Sequence, residues 1–126
     1  MQEGDALSAV ELLRYGAAFI RDKGYTKGTL ARDQHGTAVS AESSQATCYC
    51  TLGAVDAARF KRSASWVWVC EAKHLLLRSL PVMSYGTLSP IAEFNDFPDT
   101  TVKDVLALYD RAIALAEKEE QENAPK

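Results

Sequence analysis

The sequence predicts a mainly α, compact helical domain of four to five helices with one small β-hairpin. Three observations lead there. Stretches near both ends place apolar residues every three or four positions, the period of a helix with one buried face. Between them lies a third apolar run, stopped by Pro81. Only residues 29–39 combine strand-forming side chains with turn chemistry. The 126 residues suit one globular domain, read as 1–120, with a flexible charged tail at 121–126.

Ser8-Ala9-Val10-Glu11 has the pattern of a capping box, in which Ser8 and Glu11 would satisfy each other's backbone amides. Val10, Leu13, Ala17 and Ile20 follow at helical spacing, so the first helix is placed at 8–23, ended by Gly24. Thr29, Leu30 and Ala31 then pair with Thr37, Ala38 and Val39 around the turn Asp33-Gln34-His35-Gly36. A lone hairpin is marginal in water, so it must lie on a helical face.

Ser43 and Ser44 offer caps for a second helix at 45–60, whose small face carries Ala46, Cys50, Gly53, Ala54 and Ala57. That alanine-rich face admits close approach of a neighbour, including a second copy of the chain. After a break at RFKRS, a third helix at 64–79 presents Trp66, Val67, Val69, Cys70, Leu76 and Leu77. Ser89-Pro90 opens a short helix through Ile91, Ala92 and Phe94. The last helix, 101–120, aligns Val102, Val105, Leu106, Tyr109, Ile113 and Ala116 on one stripe. The first, third and last helices should lead the core.

Composition narrows the function classes. A net charge of −3 gives no basic field, so direct nucleic-acid binding is not expected. No apolar run approaches the roughly 18 residues that a bilayer requires. The N-terminus has neither a basic region nor a small-residue cleavage site, so a cytoplasmic protein is expected. Cysteines at 48, 50 and 70 are a poor disulfide framework and are read as reduced thiols.

Candidate chemistry concentrates in two polar clusters. In FNDFPDTTVKDV, Asn95 is read as the left-handed end of the short helix, and Asp99, Thr100 or Thr101 as the cap of the last one, with Asp104 three residues after Thr101. Asp96 lacks a local task and is expected to bind turn amides or reach the hairpin. Arg32, Asp33 and His35 form the second cluster, with Asp33 and His35 a possible acid–base pair, although an Asp opening a turn is the simpler assignment. No catalytic residue, metal site or cofactor is expected. Cys48 and Cys50 would diverge by roughly 200° on a helix. Cys70 and His74 share a face at i and i+4, half of a zinc site, but no second half follows, so Cys70 is read as core and His74 as partly buried. Arg59, Lys61 and Arg62, followed by Trp66 and Trp68, are the one basic patch with aromatics nearby, and the two tryptophans cannot share one buried face.

KGTLARDQHGTAV (27–39), CYCTLGAVDAA (48–58) and IAEFNDFPDTTVKDVLALYDRAIALA (91–116) together resemble a small uncharacterised family found in actinobacteria and phages. The resemblance rests on Tyr25 and Gly28, on Ala31, Arg32 and Asp33, on Cys50, Gly53 and Ala54, and on Asn95 and Asp96. It implies a fold and no reaction. It also implies that the Ala-Arg-Asp turn meets the Asn-Asp corner, with Arg32 pairing Asp96. The leading functional expectation is a non-enzymatic protein-binding module using Arg59, Lys61, Arg62, Trp66 and Trp68. In a phage it would inhibit a host factor such as a defence-system component, in the host cytoplasm. The alternative is a small-molecule binder or enzyme using Arg32, Asp33, His35, Asn95 and Asp96; a homodimer without ligand is the third.

Overall fold

The computed structural model describes residues 8–82, 86 and 89–122. Helix α1 (Ala9–Asp22) buries Leu12, Leu13, Ala17 and Ile20, which the 3.6-residue period brings to one side. It touches all three of the other long helices and forms the middle of the core. Ser8 sits at the N-cap, but its hydroxyl does not cap; Glu11 turns instead to Arg14, at 3.0 Å. The expected capping box is therefore replaced by a surface ion pair. Gly24 stops the helix with φ +144, and a Cβ there would lie 3.2 Å from that of Cys48.

Strands β1 (Ala31–Arg32) and β2 (Ala38–Val39) form the expected hairpin, with Ala31 opposite Val39. A third strand, β3 (Cys48–Tyr49), pairs antiparallel with the other side of β1, giving the order β2-β1-β3. This corrects the helix predicted at 45–60. Ser40 and Ser43 spend their hydroxyls on the amides of Glu42 and Gln45, which makes turns and not helix caps. Tyr49 is then drawn into the core, 1% exposed, while its amide and carbonyl bond Gly24 and Thr26.

Helix α2 (Thr51–Arg62) starts after Cys50, whose Sγ accepts from the Gly53 amide at 3.2 Å. The strand-to-cap path of 48–50 makes the helical divergence of Cys48 and Cys50 irrelevant. Ala54, Ala57 and Ala58 are fully buried within the chain, where α2 packs on α1. The alanine-rich face is thus consumed internally and is closed to a second copy. Gly53 meets Leu30 so closely that a Cβ would stand 2.0 Å from the Leu30 carbonyl oxygen. Only glycine permits that crossing of hairpin and helix.

Ser63, in the left-handed conformation, ends α2 at the expected break. Helix α3 (Trp66–Arg78), capped by the Ser65 hydroxyl, buries Val69, Ala72, Leu75 and Leu76. Helix α4 (Pro90–Asp96) has proline in its first turn. Helix α5 (Val102–Glu122) buries Val105, Leu108, Tyr109, Ala112 and Ala116. Thr101 and Asp104 cap it reciprocally, at 2.9 and 3.2 Å. Residues 121 and 122 continue α5, and the remainder of the predicted tail, 123–126, lies outside the described residues. No helix among the described residues is long and apolar enough to cross a membrane.

Candidate functional site

The Asn-Asp corner is a lock between elements far apart in sequence. Asn95 lies inside α4, 2% exposed, and not at a left-handed end as its type suggested. Its Oδ1 accepts from the Thr51 amide at 2.8 Å and the Thr51 hydroxyl at 2.7 Å. Its Nδ2 donates to the Thr26 carbonyl at 3.1 Å and to Asp96 Oδ1 at 2.9 Å. Both donors and both lone pairs of the amide are used. The Tyr25 hydroxyl donates to the Asn95 carbonyl, and the buried Tyr109 hydroxyl to that of Thr51.

Asp96 accepts from the Gly28 amide at 2.9 Å, so of its two expected tasks it takes the reach across to the segment that leads into the hairpin. The predicted Arg32–Asp96 pair does not form. Arg32 donates to the Thr26 hydroxyl, the Lys27 carbonyl and the Gly36 carbonyl, so it fastens the same loop from the sheet side. Asp33 accepts from the backbone amides of His35 and Thr37, both at 2.9 Å, which is the turn assignment. His35 is exposed, its ring beside Gln34.

Electrostatics follow the burial. Burial, and next the Asp96 carboxylate, push the Tyr25 phenol up to about 12. Tyr109, enclosed in the core, is raised well above its ordinary value for the same first reason. Burial also raises the Cys50 thiol, more than the Gly53 and Leu52 amides lower it, so it stays protonated as a helix cap. A pocket of about 170 Å³ lies beside this corner, lined among others by Gly28, Leu30, Cys50, Asn95 and Asp96. Arg32, Asp33 and His35 do not line it, so the five alternative ligand residues do not converge.

The second region is the junction of α2 and α3. Each of its three cations covers a ring: Arg59 lies 4.1 Å from the Trp66 centroid, Arg62 4.7 Å from Tyr15, and Lys61 6.0 Å from Phe19. Arg59 also donates to the Ala64 carbonyl at 3.2 Å, which holds it in place across the turn. Trp66 remains 56% exposed, Phe60 near the end of α2 51%, and Val67 67%. Trp68 points elsewhere, as the helical period requires: it packs on the core and lines a groove of about 370 Å³ between α1, α3 and α5, with Leu75, Ala116, Glu71 and Glu119. Four of the five predicted partner residues therefore sit at this junction and Trp68 does not. Phe60 was missed because it fell in the predicted break at RFKRS, and Val67 because it reads as a core residue until the inward arc of α3 is fixed. Cys70, read as core, and His74, read as partly buried, are both exposed on α3, since the inward arc of that helix is filled by Val69, Ala72, Leu75 and Leu76.

Fold and geometry define a mainly helical domain that locks a small sheet through its buried asparagine and keeps its aromatic and cationic surplus on the opposite theme, outside the core. The chain belongs to a family of unknown function, DUF6197, whose profile matches residues 5–115. Neither the comparison with curated proteins nor that with solved structures gives a match.

Proposed function

We propose that the protein is a small non-enzymatic protein-binding module that engages its partner with the α2–α3 junction. The exposure of Phe60, Trp66 and Val67 next to Arg59, Lys61 and Arg62 carries this reading. A large ring at the surface with an arginine stacked on it is the composition of an interface anchor. The Arg59 stack restrains Trp66 before any partner arrives, which lowers the ordering cost of binding. A basic island on a chain of net charge −3 selects a partner that offers an apolar cleft rimmed by carboxylates. If the chain is phage-encoded, that partner is a host factor, such as a defence-system component, inhibited by occlusion.

The test is affinity capture with native mass spectrometry, run in parallel on the wild type, Trp66→Ala and Arg59→Ala. The expected result is a stoichiometric partner lost in both variants and weakened by salt. A partner retained equally by all three would remove the junction from the interface. A second reading, a small ligand at the Asn95–Asp96 pocket, is supported by the 170 Å³ space there. A bound small-molecule mass that vanishes in Asp96→Ala, in protein that melts normally, would favour it.

A further inference from the structure

We propose that Cys70 and His74 are half of a zinc site, completed by the same two residues of a second copy of this chain. The inference is independent of the binding partner proposed above. Cys70 and His74 lie one turn apart on the solvent side of α3, where i and i+4 side chains have Cβ atoms about 5–6 Å apart. Two such ligands can reach one ion at about 2.3 Å from sulfur and about 2.0–2.1 Å from nitrogen. An exposed free cysteine is itself unusual, because that residue type is among the most often buried.

One chain cannot finish the site. Among the described residues, no group of three or more histidine, cysteine or carboxylate side chains is placed to hold a metal. A closed zinc site takes four ligands. What supplies the other two is indicated by the rest of this face. Trp66, Val67 and Leu77 are 56%, 67% and 41% exposed on the same side of α3, with Arg59 lying over one face of Trp66. Their order is self-complementary about Ala72. When two α3 helices lie antiparallel across a twofold axis at the level of Ala72, residues equally distant from it face each other. Cys70 then faces His74 of the second copy, Val67 faces Leu77, and Trp66 faces Arg78. The pairing puts ligand beside ligand, apolar beside apolar and cation beside ring.

The charge balances as well. Each Cys70 thiol releases its proton to solvent, each imidazole binds as the neutral ring, and two thiolates neutralise one Zn²⁺. Glu71 faces solvent beside the pair, and Glu119 of α5, held by Arg78 at 2.7 Å, is the acidic group that approaches His74 from the neighbouring helix. Zinc fits a mixed sulfur and imidazole set better than the oxygen-seeking Mg²⁺ or Ca²⁺. Because the paired state covers Trp66 and Val67, zinc would compete with any other partner for them.

The experiment is sedimentation equilibrium of the chelator-stripped full chain in reducing buffer, titrated with ZnCl₂, with zinc content measured on the separated species. The expected result is a twofold rise in mass, saturating at one zinc per two chains. Cys70→Ser and His74→Ala should each stay at the mass of one chain at the same zinc level, with unchanged melting, while Cys48→Ser should still double. Cobalt(II) should give a thiolate charge-transfer band in the wild type that Cys70→Ser lacks. A chain that stays single at saturating zinc, that doubles equally in both variants, or that binds one zinc per single chain would overturn the proposal.

Discussion

The two polar-rich regions of this chain look alike in composition and differ in how their polar groups are used. At the Asn95 corner each donor of the side-chain amide meets an acceptor inside the protein, and the residue is buried. At the α2–α3 junction the cations lie over rings and keep their outer faces in water. The first arrangement holds elements together. The second is available to another molecule. Dense polarity in a sequence therefore says little about function until the partners of each group are known.

The sharpest way to break this comparison is to damage the corner. Asn95→Ala should cost about 3–4 kcal/mol, because it strands the Thr51 amide and hydroxyl and the Thr26 carbonyl at about 1–3 kcal/mol each, partly relaxed. Urea denaturation measures it, and a loss below about 1 kcal/mol would contradict the lock. Gly53→Ala should follow at about 2–3 kcal/mol by the same measurement, since its methyl meets backbone and not a movable side chain.

Tyr25→Phe should cost about 1 kcal/mol, for one hydrogen bond to the Asn95 carbonyl. It also carries a pH signature. The folded phenol titrates at about 12, above its ordinary 10.0, so its contribution is complete below 10 and is lost as pH rises through 12. The wild type should lose melting temperature faster than Tyr25→Phe over that window. Trp66→Ala, in contrast, should change stability by no more than about 0.5–1 kcal/mol while abolishing partner capture. A large loss of stability there would make the junction part of the core.

The smallest effect is expected at the exposed cap of α5. The Thr101 amide and hydroxyl hold the Asp104 carboxyl below its ordinary 3.8. Its contribution is present above 3.8 and disappears as pH falls through the lowered value. Between pH 6 and pH 3 the wild type should lose slightly more melting temperature than Asp104→Asn, a difference readable by calorimetry.

Much of the fold was legible because it rests on local signals. Gly24, Pro81, Ser89-Pro90 and the Thr101–Asp104 pair mark element ends through backbone chemistry that needs no tertiary partner. The third strand was not legible: Cys48-Tyr49 becomes a strand only because β1 and the Gly24 turn lie alongside it. Asn95 was read as a left-handed end, since its type prefers such ends, and nothing local announces buried donors 44 residues away at Thr51. Cys70 and His74 show the opposite error. Their apolar neighbours suggested burial, and only the placement of α1 and α5 decided which arc of α3 faces inward.

The Asn95 lock also has a consequence for synthesis on the ribosome. Its bonds reach back 69 residues to Thr26 and 44 to Thr51, and the Tyr25 bond spans 70. A nascent chain that ends before α4 leaves the loop at 24–30 and the start of α2 without these partners. The amino-terminal sheet should thus stay open to proteases and chaperones until the last third has been translated, and then close in one step.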